Sequence, residues 1–192
     1  MPRKLRLQFE GACHHVFNRG ANKQTIFLDD QDRHTFLRMI EGVASRYQLR
    51  FFAYCLMGNH FHLFLQTQER NLDKSMQSLQ GRYAQYVNLR YGRVGCLFQG
   101  RYQNRLVDKD SYSLTLVQYI HRNPIDSGLT TALDQYPWSS YPIYTKKALP
   151  WKWLDTKWIL SQFHREDQPA VRLFKEFHAR PVPEGSDPFA LR

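Results

Sequence analysis

The Gly58–Asn59 pair, set between two runs of strand-forming residues, constrains this chain more than any other feature. Gly-Asn at such a position signals a hairpin turn, so Arg50 to Met57 and His60 to Gln66 read as neighbouring antiparallel strands, the second of them central. That strand begins His60–Phe61–His62–Leu63, and its period of two sends both imidazoles to one face while Phe61 and Leu63 point to the other. Two imidazoles on one face can grip one metal ion. They can equally be a surface pair or two satisfied core groups, and the motif alone does not choose.

The remaining segments alternate strand and helix. Cys13 to Arg19 reads as a first strand, broken by Gly20 and Asn22. Asp29 or Asp30 can cap a helix through Arg46, with Phe36, Leu37, Ile40, Val43 and Ala44 spaced as one buried stripe. A second helix spans Leu72 to Arg90, where Leu72, Met76, Leu79, Tyr83 and Tyr86 recur at helical spacing. Gly92, Gly95 and Gly100 interrupt the periodicity before a fourth strand from Tyr102 to Val107. Asp110 or Ser111 then opens a helix carrying Tyr119, and Pro124 limits its length because proline lacks an amide donor. A strand–helix–strand–strand–helix–strand order with helices on one side predicts an α/β (α+β) domain of the ferredoxin-like, RRM-like kind.

With 192 residues, of which 42% are hydrophobic, the chain can bury one substantial core and a small appendage. No stretch is long and apolar enough to cross a bilayer, and the start, Met1–Pro2–Arg3–Lys4–Leu5–Arg6, does not read as a signal peptide. No membrane partner and a cytoplasmic location are therefore expected. Cys13, Cys55 and Cys96 match no disulfide or zinc spacing and read as reduced thiols in mostly apolar surroundings. The excess of 27 Lys and Arg over 17 Asp and Glu, a formal charge of +10, favours a polyanionic partner.

Four segments in order carry a resemblance: His60–Phe61–His62, Leu97–Phe98–Gln99–Gly100–Arg101–Tyr102, Tyr119–Ile120–His121–Arg122–Asn123–Pro124, and Tyr136–Pro137–Trp138–Ser139–Ser140–Tyr141. Together they resemble the REP-associated tyrosine transposases, relatives of the IS200/IS605 transposases within the HUH single-strand nucleases. His15–Val16–Phe17–Asn18–Arg19–Gly20 is similar to that family's first strand, so the likeness covers residues 1 to 145 as an HUH catalytic domain, with 146 to 192 as a C-terminal aromatic and basic extension. The resemblance implies a divalent ion, Mg²⁺ or Mn²⁺, on His60 and His62, with Asn123 as a third ligand and Tyr119 as nucleophile. It also implies cleavage and rejoining of single-stranded DNA at REP-type hairpins, by a bacterial, nucleoid-associated enzyme. Relatives that exchange the tyrosine helix between subunits are dimers; the REP-associated branch fits a monomer using its own Tyr119, with a homodimer as the alternative.

The chemistry is consistent with that set. Imidazoles leave positions open for an amide and for phosphate oxygens, and Mn²⁺ tolerates nitrogen better than Mg²⁺. Tyr119 and Asn123, four apart on a helix, share a face. A phenol with a reference pKa of about 10 needs activation before it attacks phosphorus, and the phosphotyrosine it forms conserves the phosphodiester energy for rejoining. Arg19, Lys23, Arg82, Arg101 and Arg105 are candidates for holding the DNA backbone, with Phe98 and Tyr102 as stacking surfaces for unpaired bases. Asn59 reads first as a turn residue, His121 as a packing group or DNA contact, and Arg3, Lys4 and Arg6 as a basic arm or terminus. Beyond Tyr141, Trp151, Trp153 and Trp158 suggest an aromatic helical appendage, and Phe174 and Phe177 a last helix before Pro181, packed on the domain or aiding hairpin recognition. Two other readings use the same residues: a catalytically silent hairpin-binding module, and an HUH nickase that initiates replication.

Overall fold

The computed structural model describes residues 9–107 and 112–181. The Asp110 or Ser111 helix start, the Arg3–Lys4–Arg6 arm and the tail from Val182 lie outside the described residues. In chain order the domain comprises β1 (Cys13–Arg19), α1 (Asp30–Arg46), β2 (Leu49–Leu56), β3 (His60–Thr67), α2 (Leu72–Arg90), β4 (Gln103–Val107) and α3 (Ser113–Asp126). The strands form one antiparallel sheet in the order β2-β3-β1-β4, so β3 is central and the expected ferredoxin-like arrangement is present. Among the described residues no helix is long and apolar enough to cross a membrane.

The two faces of the sheet bury different material. On one, Val16, Phe61, Leu63 and Leu65 meet the apolar stripes of α1 and α2, including Phe36, Ile40, Met76, Leu79 and Tyr83. Asp29 caps α1 by accepting from the Asp32 amide at 2.9 Å, an arrangement worth about 1 kcal/mol. On the other face, Cys13, Ala53, Cys55 and Phe64 pack against Leu116, Val117 and Ile120 of α3. A register shift between Phe51 and Ala53 turns both Phe52 and Ala53 toward this second face while Phe51 and Tyr54 stay on the first. Pro124 does not stop α3: it sits in the last turn, which continues to Asp126. Cys13 and Cys55 are buried thiols, whereas Cys96 is exposed, contrary to the apolar setting expected of it.

The chain beyond α3, from residue 127 into the extension, folds back onto the sheet. It comprises α4 (Tyr141–Tyr144), α5 (Thr156–Leu160) and α6 (Asp167–Ala179). It covers the outer edge of β2: the Ser140 amide donates to Tyr54 O at 3.0 Å, the Asp155 amide to Phe51 O at 2.8 Å, and the Leu56 amide to Trp138 O at 2.9 Å. An edge strand that would otherwise present unpaired backbone is thereby closed. Trp153 packs on Phe51 and Tyr54, Trp158 on Phe52 and Phe64, so the aromatic appendage clasps β2 from both sides. α6 lies along α3, with Gln118 Nε2 donating to the carbonyls of Phe177 and Arg180, each at 2.9 Å.

Candidate active site

The antiparallel register between β1 and β3 builds the site. Phe17 stands opposite His62 and Arg19 opposite His60, and opposed residues share a face, so His15, Phe17 and Arg19 join the histidine pair on the side covered by α3. Above them stands Tyr119. Its ring meets His62 edge-on, with centroids 5.5 Å apart at 86°, and meets His15 at 6.0 Å and 79°. Tyr119 is half-buried, its helix held down by Leu116, Val117 and Ile120. The three rings therefore belong to three elements that only the sheet order brings together.

One turn along α3, Asn123 donates from Nδ2 to the Tyr119 carbonyl at 3.0 Å, so its side-chain oxygen is the group it offers to the site. Its side chain also lies beside His60, where it favours the charged ring. Nδ1 of His60 lies 2.7 Å from Asn59 Oδ1, while Asn59 Nδ2 donates to Lys23 O at 3.1 Å. A side-chain carbonyl oxygen only accepts, so the His60 proton is on Nδ1 and the lone pair on Nε2. Asn59 is thus both the turn residue expected and the group that fixes the His60 tautomer. The backbone around it is tight: Asn22 and Lys23 adopt φ of 51° and 58°, and a Cβ at Gly20 would stand 2.1 Å from Gln24 O.

Burial keeps these imidazoles neutral. It pushes His60 down to about 4, against a hydrogen bond to Asn123 that raises it and a nearby Arg19 that lowers it further. His62 is lowered well below the ordinary histidine value by burial, and then by His15 and His60. His15 is pushed down to about 3 by burial and by Arg105. Neutral imidazole is the form that binds metal. His62 Nε2 is buried with no hydrogen-bond partner. Among the described residues no three His, Cys, Asp or Glu side chains converge as a metal cluster, so a ligand set here needs a neutral oxygen, as Asn123 provides, beside the imidazoles. The donor set fits a divalent ion that keeps open positions.

The basic and aromatic candidates divide. Arg19 and Arg105 are on the Tyr119 face: Arg19 bonds Gln99 Oε1 through Nε and Nη2, and the Arg105 guanidinium lies 5.9 Å from the Phe17 ring centroid. Lys23 is exposed at the rim beside Asn59, and Arg101 is exposed just before β4. Phe98 and Tyr102 are not open stacking surfaces. Both are buried in the cluster beneath α1 and α2, and the Tyr102 hydroxyl donates to Asp73. Arg82 is also outside the site, because it extends from α2 beside Gly42 of α1, in the layer on the opposite side of the sheet. His121 points away from Tyr119 into a buried bond with His178 Nε2 at 3.0 Å and Ser140 Oγ at 2.7 Å, which makes it a packing group.

The residue that the motifs did not single out is His15. The signal was present in the alternation of β1, which places His15, Phe17 and Arg19 on one face; what was needed was the pairing of β1 with β3. His15 Nε2 lies 2.9 Å from His62 Nδ1.

With this geometry in hand, comparison with known proteins gives three findings. Residues 8–123 match the family model described as "Transposase IS200 like". A solved structure of the REP-associated tyrosine transposase bound to a REP hairpin shares the fold, with a TM-score of 0.67 at 14% identity over 78% of this chain and 88% of that one. A crystal structure of a candidate transposase from Deinococcus radiodurans aligns with a TM-score of 0.44 and 18% identity, over 62% of this chain and 95% of that one. No curated protein matches the sequence.

Proposed function

Because the chain belongs to the IS200-like transposase family and shares its fold with a REP-associated tyrosine transposase, we propose that it is a metal-dependent single-stranded DNA endonuclease and strand transferase acting at REP-type hairpins. The observation that carries this reading is the placement of the Tyr119 ring near-perpendicular to that of His62, with Asn123 one turn away beside His60. A nucleophile and a set of neutral metal ligands on one face are what phosphoryl transfer to a tyrosine requires.

His60, His62 and Asn123 would hold Mg²⁺ or Mn²⁺, which supplies polarisation of the scissile phosphate and stabilises charge on its oxygens. Tyr119 supplies the attacking oxygen. Its bond to phosphorus forms as the bond to the 3′-oxygen breaks, the phenolic proton is lost, and the departing 3′-oxygen is protonated. The product is a 5′-phosphotyrosine, and attack by another 3′-hydroxyl runs the same step backwards. Arg19, Lys23, Arg101 and Arg105 hold the DNA backbone around this face. Residues 1–145 act as the catalytic unit and 146–192 as its extension, in a monomer that uses its own Tyr119, in the cytoplasm and on the nucleoid when bound to DNA.

The test mixes the full chain with labelled single-stranded REP hairpins bearing flanking DNA, in Mn²⁺, Mg²⁺ or EDTA, and resolves covalent adducts on a denaturing gel. A metal-dependent adduct that disappears in Tyr119→Phe is the expected result. Hairpin binding without adduct across varied flanks would replace this reading with a silent binding module.

A further inference from the structure

Each imidazole of the pair leans on a neighbour through the ring nitrogen that faces away from the proposed ion. For His60 the neighbour is Asn59, through Nδ1. For His62 it is His15, whose Nε2 lies 2.9 Å from His62 Nδ1. Two neutral imidazoles bonded this way share one proton, and each way of placing it leaves one buried ring N–H, on His62 Nε2 or on His15 Nδ1; the two differ in what they leave for a cation. If His15 donates, the His62 proton must sit on Nε2, a buried atom with no acceptor near it, and that nitrogen has no lone pair for a cation. If His62 Nδ1 donates, Nε2 carries the lone pair.

We propose that His15 is a positioning residue: by accepting the His62 Nδ1 proton it fixes the tautomer that turns His62 Nε2 toward a divalent cation, and its ring braces Tyr119 over the same spot. This deepens the metal reading given above and rests on it. The geometry suits a brace. The His15 and His62 rings meet edge to edge, centroids 5.1 Å apart with an interplanar angle of 20°, and Phe17 contacts both, at 4.8 and 5.8 Å. His15 is fully buried on β1, so neither its position nor its ring angle is free to drift. Tyr119 stands near-perpendicular to both imidazoles, so displacement of His15 moves the ligand and the nucleophile together. Groups that fix the tautomer of a ligating histidine commonly contribute about 10–100-fold to metal affinity.

Mn²⁺ binding to the full chain, followed by the electron paramagnetic resonance signal of the free ion, tests this. Relative to wild type, His15→Phe keeps a ring of similar size without an acceptor and should weaken Mn²⁺ binding about 10–100-fold. His15→Gln, whose amide oxygen can accept from Nδ1, should recover most of that loss. Wild-type affinity in His15→Phe overturns the proposal while leaving the metal reading standing; no Mn²⁺ uptake by the wild type overturns both. A second measurement does not depend on whether variants fold. Long-range ¹H–¹⁵N spectra of the metal-free wild type should show His62 protonated on Nδ1, and an Nε2-protonated His62 overturns the assignment.

Discussion

His15–His62 and His121–His178 are both buried imidazole pairs, with facing ring nitrogens 2.9 Å and 3.0 Å apart. They are built on the two sides of one helix: Tyr119 looks toward the first pair, and His121, two residues on, belongs to the second. The second pair is closed. His121 Nε2 meets Ser140 Oγ at 2.7 Å and His178 Nδ1 meets the Phe174 carbonyl at 2.9 Å, so its polar atoms are spent on joining α3, α6 and the edge of β2. The first pair leaves His62 Nε2 buried and unpartnered beside a tyrosine. On the proposed metal reading, similar rings in similar burial have opposite uses: a satisfied pair contributes to stability, and an unsatisfied one gives up stability to keep a donor ready for a ligand.

That contrast predicts a crossed pattern of loss. His62→Ala should lower metal-dependent adduct formation by at least about a thousandfold, because the stabilisation lost is several kcal/mol of transition-state charge. Its effect on urea unfolding should be smaller, since the removed ring carried an unpaired buried nitrogen. His121→Ala should do the reverse. It leaves a cavity among Tyr141, Tyr144 and Phe174 and strips partners from His178 and Ser140, which should cost about 3 kcal/mol by urea titration. Its Mn²⁺ affinity should remain close to wild type. If the two variants lost metal binding and stability in equal proportion, the distinction between a closed and an open pair would not hold.

Acidification sharpens the same contrast from the closed side. Burial pushes His178 down to about 4, partly offset by its bonds to the Phe174 and Val117 backbone, and also lowers His121 well below the ordinary histidine value, with His178 as the second cause. In the unfolded chain both take up protons below about 6.5, while the folded protein resists. The unfolded state then binds more protons, so stability is complete above about pH 6.5 and declines as pH falls toward about 4, by about 1.4 kcal/mol per unit for each such histidine. Urea midpoints measured between pH 7 and 4 should fall accordingly. A His121→Phe, His178→Leu double variant, which contains neither group, should have a shallower slope than wild type.

The sequence disclosed much of this fold because its signals are local. Gly58–Asn59, the Asp29 cap and the stripe from Phe36 to Ala44 each act within a few residues, and the hairpin and the first two helices form where they indicate. Tyr119, Asn123, His60 and His62 were legible as a family pattern, and the structure brings them onto one face. What was not legible depends on pairing across distance. His15 becomes part of the site only because β1 runs beside β3, and nothing in its own neighbours says so. Phe98 and Tyr102 were misread for the same reason: an aromatic in a glycine-rich basic stretch resembles a stacking surface until a cluster beneath two helices encloses it. The role of the chain beyond α3 as a cover for β2 was equally hidden, since edge strands are defined by the whole sheet.

The smallest expected effect compares the two sides of the sheet through their cations. Arg105 lies over Phe17 on the histidine face, and Arg82 beside Gly42 on the helix-covered one. If single-stranded DNA tracks the first face, Arg105 neutralises a phosphate there and its loss releases one fewer counterion on binding. Arg105→Ala should then reduce the slope of log affinity against log salt by about 0.7, the contribution of one contact to a single strand. Arg82→Ala should leave the slope unchanged although it removes the same formal charge, because its guanidinium is on the far side of two packed layers. Fluorescence anisotropy with a flanked hairpin across a salt series measures both slopes. Equal reductions would mean that the overall charge, and not the histidine face, governs the encounter, whereas a loss confined to Arg105 places the strand beside Tyr119.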